Sequence, residues 1–127
     1  MNRTIDILKS MGGATDKFVK ILEMDPADRG MEEEFIFVEL TECYGNEKEL
    51  ADTVEYLLKE IWLEGEITVK GAHYYLGDHR LMDDEDFEFE IDGTWCRSKV
   101  LTIMNEDYIE LFGLRPGKDK IRARIRG

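Results

Sequence analysis

The chain has 127 residues, of which 43% are hydrophobic and 36% charged, and this length suits one domain or two very small ones. Its 29 acidic and 17 basic residues give a formal net charge of −12 at pH 7. Such a charge repels nucleic acid and anionic lipid at long range and attracts basic surfaces, so it disfavours direct nucleic-acid binding.

The N-terminal half carries hydrophobic residues at helical spacing. The pattern predicts a helix over 4–11 with Thr4 as its N-cap, and a second helix with Thr15 or Asp16 as its N-cap. The segment 31–44 is interpreted as a largely buried helix, although its apolar centre alone would also suit a strand.

A third pattern, a capping box, marks the start of the next helix. Asn46 is a good N-cap and Glu49 follows three residues later, so we predict a helix over 47–63. Its apolar stripe consists of Leu50, Val54, Leu57, Leu58, Ile61 and Trp62.

The hydrophobic period changes to two near Gly65, which predicts short strands joined by turns. The predicted strands are 67–69, 73–76, 87–91, 95–103, 108–112 and 121–125, with turns at Asp92-Gly93, Asn105-Glu106 and Pro116-Gly117. Short strands with tight turns favour a small antiparallel barrel. The sequence therefore predicts an α+β fold, with a helical part over 1–65 and a barrel over 66–127, and leaves open whether they share one core.

The two cysteines, Cys43 and Cys96, form no CxxC motif and so give no redox or zinc-ribbon pattern. We expect two free thiols in a reducing cytoplasm, with one disulfide as the alternative. The N-terminus has no apolar signal core, and no apolar run approaches the roughly 18 residues of a membrane span. We therefore expect a cytoplasmic protein without a membrane partner, in the host cytoplasm if a phage encodes it.

The stretch 31–76 resembles a winged helix. It contains two predicted helices separated by Tyr44-Gly45-Asn46, followed by two short strands in the place of a wing. The resemblance implies a DNA-binding regulator, but the long helix offers mostly acids where a recognition helix needs basic or amide side chains.

The stretch from about Tyr74 to Ile125 is similar to a small SH3-like barrel. The features that carry the similarity are the acidic loop and strand 80–89, the Ile91–Trp95 turn and strand, and Val100. Such barrels form an uncharacterised domain family of bacteria and their phages, which implies a fold but no activity. The whole chain is also similar in style to the small acidic anti-CRISPR and other anti-defence proteins of phages.

Opposite charges are concentrated in separate segments. Residues 81–96 contain seven acids and no base, whereas residues 115–127 contain six bases and one acid. The acidic face could imitate a nucleic-acid backbone, so we predict a partner-binding set of acids with two tyrosines as anchors. The set is Asp83, Asp84, Glu85, Asp86, Glu88, Glu90, Tyr75 and Tyr108. The alternative is that Glu88 and Glu90 pair with the basic last strand, whose predicted polar face carries Arg122, Arg124 and Arg126.

Motifs for catalysis and for metal or cofactor binding are missing from the sequence. His73, His79 and the two cysteines match no compact zinc pattern, and the acids at 83–86 lack the spacing of a calcium loop. No glycine-rich phosphate loop occurs. We expect no enzyme activity, no cofactor and no metal.

Three hypotheses of function follow. The first is a non-enzymatic acidic protein, monomeric or homodimeric, that inhibits or adapts a basic nucleic-acid-handling protein, in the manner of an anti-CRISPR nucleic-acid mimic. The second is a winged-helix DNA-binding regulator, and the third is an interaction module for phage structure or assembly.

Overall fold

Four α-helices precede an antiparallel β-sheet along the chain, which confirms the predicted α+β class. The computed structural model describes residues 2–127. The chain divides into two compact units: a helical unit that ends at Lys59, and a sheet unit, Glu60–Gly127.

The helical unit begins earlier than predicted. Its helices are α1 (Asn2–Ser10), α2 (Asp16–Glu23), α3 (Met31–Thr41) and α4 (Glu47–Leu58). Thr4 lies inside α1 and is buried, so it is not the N-cap. Thr15 precedes α2, but its Oγ1 atom donates to the carbonyl oxygens of Leu8 and Gly12, at 2.6 and 2.7 Å. This side chain therefore ties the end of α1 to the start of α2.

Helix α3 confirms the helical interpretation of the apolar segment, and buries Phe35, Ile36 and Leu40. The Oδ1 atom of Asn46 accepts a 3.0 Å hydrogen bond from the amide of Glu49, so the predicted N-cap of α4 is also confirmed.

The predicted end of α4 is wrong. The helix stops at Leu58, Lys59 has extended backbone geometry, and Ile61 and Trp62 belong to the first strand. Ile61 pairs with Arg126 of the last strand and Leu63 with Ile125, with a register shift between them at Trp62. Pairing with a strand distant in sequence overrides the local helical pattern.

The sheet unit contains eight strands, all paired antiparallel. They are β1 (Ile61–Lys70), β2 (His73–Leu76), β3 (His79–Arg80), β4 (Asp86–Ile91), β5 (Thr94–Lys99), β6 (Leu101–Ile103), β7 (Glu106–Tyr108) and β8 (Arg122–Arg126). Six of them form one sheet in the order β3-β2-β1-β8-β4-β5, and β6 and β7 form a separate hairpin. The six-stranded sheet has β3 and β5 at its edges, so it is open rather than closed into a barrel.

Turn residues with positive φ set the hairpins. Asp92 and Gly93 (φ 51° and 75°) join β4 to β5 in the predicted tight turn. The strand predicted over 95–103 is two strands, because Val100 leaves the ladder and exchanges hydrogen bonds with Asp84 and Glu85. The next turn consists of Met104 and Asn105, one residue earlier than predicted, and the strand after it is Glu106–Tyr108 rather than 108–112.

The apolar core of the sheet unit lies on one face of β4 and β8. Its buried members are Ile67, Leu76, Leu81, Phe87, Phe89, Val100, Leu111, Ile121, Ala123 and Ile125. Phe89 and Ala123 are opposite each other in the β4–β8 pair. Because side chains alternate along a strand, Glu88 and Arg124 face the other way.

Among the described residues, no helix has both the length and the apolar character needed to cross a bilayer.

Candidate partner-binding surfaces

A buried ion-pair cluster occupies the second face of the β4–β8 pair. Glu88 is fully buried and accepts hydrogen bonds from Nε of Arg124 and Nε of Arg126, both at 2.6 Å. The guanidinium of Arg124 lies 4.0 Å from the ring centroid of Trp95, a cation–π contact. Glu88 was predicted to bind a partner, but it lies inside the fold and two arginines neutralise its charge.

Glu90 extends the same pairing toward the surface. Its Oε1 atom is 3.5 Å from NH1 of Arg122, whose NH2 donates at 2.8 Å to Glu64 of β1. Hydrogen bonding to Glu64 and the charges of Glu64 and Glu90 raise the pKa of Arg122. Glu88 and Glu90 of β4 thus form ion pairs with the arginines of β8, which was the alternative to partner binding for these two acids.

The acidic loop that precedes β4 uses its carboxylates to fix its own backbone and its neighbours. Oδ1 of Asp83 accepts a 2.7 Å hydrogen bond from the amide of Thr102, and both Glu85 oxygens contact Nε2 of His79 at 3.0–3.1 Å. Glu85 also accepts from the amide of Met82 at 2.8 Å. These bonds make part of the predicted binding set structural.

The remaining two loop carboxylates pair with β5. Asp86 lies 3.4 Å from Nε of Arg97, and Asp84 lies 3.3 Å from Nζ of Lys99. The Asp84 side chain remains 81% exposed, so its pairing is a surface contact of small energy. Asp83 and Asp84 are therefore the exposed acids of this loop.

The two predicted tyrosine anchors differ in exposure. Tyr75 on β2 is half-buried, with Nζ of Lys70 at 5.1 Å from its ring centroid. Tyr108 on β7 is 51% exposed, and its hydroxyl donates a 2.9 Å hydrogen bond to Glu106. That bond and the negative charge of Glu106 raise the pKa of Tyr108, so the phenol stays protonated and uncharged.

Sequence reasoning missed the residue that anchors the β6–β7 hairpin, Asp107. Its carboxylate is buried and accepts from Thr102 Oγ1 at 2.7 Å and from the Tyr74 amide at 3.4 Å, and lies 3.2 Å from His73 Nδ1. Burial raises the pKa of Asp107, but the hydrogen bonds from Thr102, His73 and Tyr74 together bring it below its usual value. Little in the sequence indicates that Asp107 is buried, because it is a single acid between Glu106 and Tyr108 in a short strand.

An acidic cavity between α3 and α4 was also missed. Its volume is about 270 Å³, and it is lined by Glu39, Glu42, Cys43, Glu49, Asp52 and Thr53. Glu39 of α3 and Glu42, its C-cap, are three residues apart, as are Glu49 and Asp52 of α4. The pattern is visible in the sequence once 31–44 and 47–63 are taken as helices.

Cys43 is one of the residues that line this cavity, and its free thiol is buried. Burial raises the pKa of Cys43, and the charges of Glu49, Glu39 and Glu42 raise it further. The hydrogen bond between its thiol and Thr53 acts in the opposite direction. A raised pKa keeps the sulfur protonated and weakens it as a nucleophile.

The residues considered for zinc do not come together. His73 contacts Asp107, whereas His79 contacts Glu85 and the edge of the Trp62 ring. Within residues 2–127, no group of three or more His, Cys, Asp or Glu side chains has the geometry to hold a metal ion.

Comparisons of the chain with protein-family models, with curated proteins and with solved structures gave no match.

Proposed function

We propose that this chain is a non-enzymatic acidic binding protein whose partner is a basic protein. The observation that carries the proposal is the α3–α4 cavity, where four carboxylates and no basic residue form the lining among the described residues. A cavity of this kind suits a lysine or arginine side chain of a partner.

The distribution of charge between the two units supports the helical unit as the stronger electrostatic surface. Residues 1–59 contain fourteen acids and seven bases, so half of the acids have no base to neutralise them within the unit. Residues 60–127 contain fifteen acids and ten bases, and two of these acids, Glu88 and Glu90 of β4, form ion pairs with arginines of β8. Unneutralised charge of one sign speeds association with an oppositely charged partner.

The concrete version of the proposal is an inhibitor or adaptor of a basic nucleic-acid-handling protein, in the style of phage anti-CRISPR proteins. Its support is the similarity in size and acidity described above. We also keep the relation of the sheet unit to SH3-like barrels as a hypothesis, supported by its short strands and tight turns. If the partner were a structural protein of a phage, the same binding surface would serve as an interaction module in phage assembly.

A pull-down from a nuclease-treated bacterial lysate tests the proposal. The bait is compared with the variant Glu42→Gln, Glu49→Gln, Asp52→Asn, which removes three charges from the cavity. We expect the wild-type bait to retain a basic protein that rising salt elutes, because salt screens surface charge. The variant is expected to release this basic protein at a lower salt concentration than the wild-type bait does.

The control variant is Asp6→Asn, Glu23→Gln, Glu55→Gln, which removes the same charge from exposed positions of the same unit. Equal loss of the prey in both variants would assign the effect to net charge rather than to the cavity. Retention of the prey by the cavity variant at all salt concentrations would overturn the proposal.

A gel shift with random-sequence DNA separates the winged-helix hypothesis from this proposal. Acidic residues on α4 predict no shift for the wild-type protein at physiological salt. A shifted band would favour the DNA-binding regulator.

A further inference from the structure

The two faces of the β6–β7 hairpin differ sharply in chemistry. Its cross-strand pairs are Leu101–Tyr108, Thr102–Asp107 and Ile103–Glu106. Because residues directly opposite each other share a face and neighbours alternate, Thr102 and Asp107 lie on one face and the other two pairs on the opposite face.

The inner face is polar and is held by hydrogen bonds rather than by apolar packing. Asp107 bonds Thr102, His73 and Tyr74 through its carboxylate, and its amide donates to the Ala72 carbonyl at 3.0 Å. Antiparallel hairpins ordinarily bury their apolar face and expose the polar one. In this hairpin the polar face is buried and the apolar face is exposed, and the hydrogen bonds of the buried Asp107 carboxylate hold the hairpin in this orientation.

The outer face is correspondingly apolar and exposed. Leu101, Ile103 and Tyr108 are 55%, 49% and 51% exposed, and Met104 at the tip is 95% exposed. Clustered apolar side chains of this kind present on the order of a few hundred Å², the range in which exposed patches mark interaction sites.

Met104 departs from the usual chemistry of its turn. Both turn residues have positive φ (51° for Met104 and 65° for Asn105), a conformation that favours glycine and asparagine. A methionine there costs stability and adds only an exposed flexible side chain, a choice typical of adaptable binding surfaces.

We propose that the outer face of this hairpin is the docking surface for a basic protein partner that presents apolar side chains. This inference rests on the proposed function and adds to the acidic cavity of the helical unit a second, apolar contact surface on the sheet unit. The apolar side chains supply the anchor, and the acids around them select the charge of the partner.

Charge at the border of the hairpin argues for a basic occupant. The carboxylate of Asp83 lies against the β6 backbone at Thr102, and Glu106 projects on the outer face. Beside β7, a cavity of about 360 Å³ is lined by Val69, Gly71, Ala72, Tyr74, Glu106 and Asp107. The Glu106 carboxylate and the tyrosine ring of this lining suit the ammonium or guanidinium of a partner side chain.

The same charges disfavour other occupants. Nucleic acid and anionic lipid are repelled by the net charge of −12, and a second copy of the chain carries that charge as well. A basic polypeptide is the occupant that satisfies both the apolar face and its acidic border.

Three synthetic peptides of equal length test the inference on the full chain: one of lysine and leucine, one of lysine and serine, and one of glutamate and leucine. Amide NMR shifts map the contact and calorimetry gives Kd. We expect the lysine–leucine peptide to bind most tightly, with its largest shifts over residues 101–108. The lysine–serine peptide should bind more weakly, and the glutamate–leucine peptide should not bind.

The variant Ile103→Thr keeps a β-branched residue that strands favour and removes apolar surface from the hairpin. Val38→Thr on α3 is the matched control, because Val38 is also exposed and lies in the other unit. We expect Ile103→Thr, combined with Leu101→Thr, to weaken the lysine–leucine peptide by about tenfold or more, as loss of anchor residues does. Val38→Thr should leave Kd unchanged, and retained dispersion of the amide spectrum shows that each variant is folded.

The outcomes separate this inference from the proposed function. If neither lysine peptide binds, the proposed function and the inference both fail. If both lysine peptides bind equally, or the hairpin variants bind as the wild type does, the acidic binding function stands and the docking surface is wrong. Concentration-dependent dimerisation that the hairpin variants abolish would also overturn it, in favour of a second copy as the occupant.

Discussion

The Nε atom of Arg124 donates a hydrogen bond of 2.6 Å to Oε1 of Glu88, and both side chains are buried, with the Arg124 guanidinium over the Trp95 ring. Arg126 donates to the second oxygen of the same carboxylate. One buried carboxylate is thus the shared ion-pair partner of two arginines of the last strand.

Removal of that acid should destabilise the sheet unit strongly. Glu88→Gln leaves two buried guanidinium groups without their counter-charge, so we expect the free energy of unfolding to fall by about 3–5 kcal/mol. Urea denaturation followed by circular dichroism measures the change.

Glu64→Gln is the control, because Glu64 pairs with an arginine of the same strand at an exposed position. Exposed pairs contribute about 0–1 kcal/mol, so this variant should unfold near the wild-type midpoint. A similar fall in the free energy of unfolding in the two variants would mean that burial does not make the Glu88 ion pairs more stabilising than an exposed pair.

A second prediction concerns the pH dependence conferred by Asp107. Its pKa is lower in the folded protein than in the unfolded chain, so its ionised form stabilises the fold. That stabilisation is complete above the ordinary carboxyl pKa of about 3.9 and is lost as pH falls below it, through the folded value. Asp107→Asn should therefore destabilise the protein at neutral pH, and the difference from wild type should shrink as pH falls from about 4.

Unfolding free energies of both proteins between neutral and acid pH check this expectation. Asp119→Asn serves as the control, since Asp119 accepts only from a turn amide, that of Arg115. A difference between wild type and Asp107→Asn that stays constant with pH would contradict the role given to the ionised carboxylate.

The sequence predicted elements where local chemistry decides the conformation. Asn46 caps α4 and Asp92-Gly93 forms a tight turn, because a cap side chain and positive φ act within a few residues. The end of α4 could not be found in this way. Ile61 and Trp62 continue the helical stripe, and only their pairing with β8, some sixty residues later, makes them a strand.

The candidate site was harder to predict for the same reason. The sequence separates the acids of β4 from the bases of β8, and only the register that places Glu88 opposite Arg124 cancels their charges. Burial also cannot be inferred from alternation alone when both faces of a strand are covered: Arg124 and its neighbour Ile125 are both buried. The acidic surface that survives, on α3 and α4, depends on how two helices pack.

Thiol chemistry gives a third prediction. Because burial and the surrounding carboxylates raise the pKa of Cys43, iodoacetamide should modify Cys96, which is only half-buried, before Cys43 at mildly alkaline pH. Mass spectrometry of digested samples at successive times measures both rates.

Urea-unfolded protein is the reference, in which the two cysteines should react at similar rates. The variant Glu42→Gln, Glu49→Gln removes two of the charges that raise the pKa, so it should speed modification of Cys43 in the folded protein. Faster modification of Cys43 than of Cys96 in the wild type would contradict the burial and the electrostatics of the cavity.

The hairpin turn gives the last prediction, in which stability and binding change in opposite directions. The variant Met104→Asn, Asn105→Gly places preferred residues at both positive-φ positions, so it should raise the free energy of unfolding by about 1–2 kcal/mol. It also removes the most exposed apolar side chain of the docking surface, so affinity for the lysine–leucine peptide should fall. Asn105→Gly alone is the control: it relieves only the second position and keeps Met104, so it should stabilise the hairpin and leave Kd unchanged. A gain in stability without loss of affinity in the double variant would show that Met104 does not contact the partner.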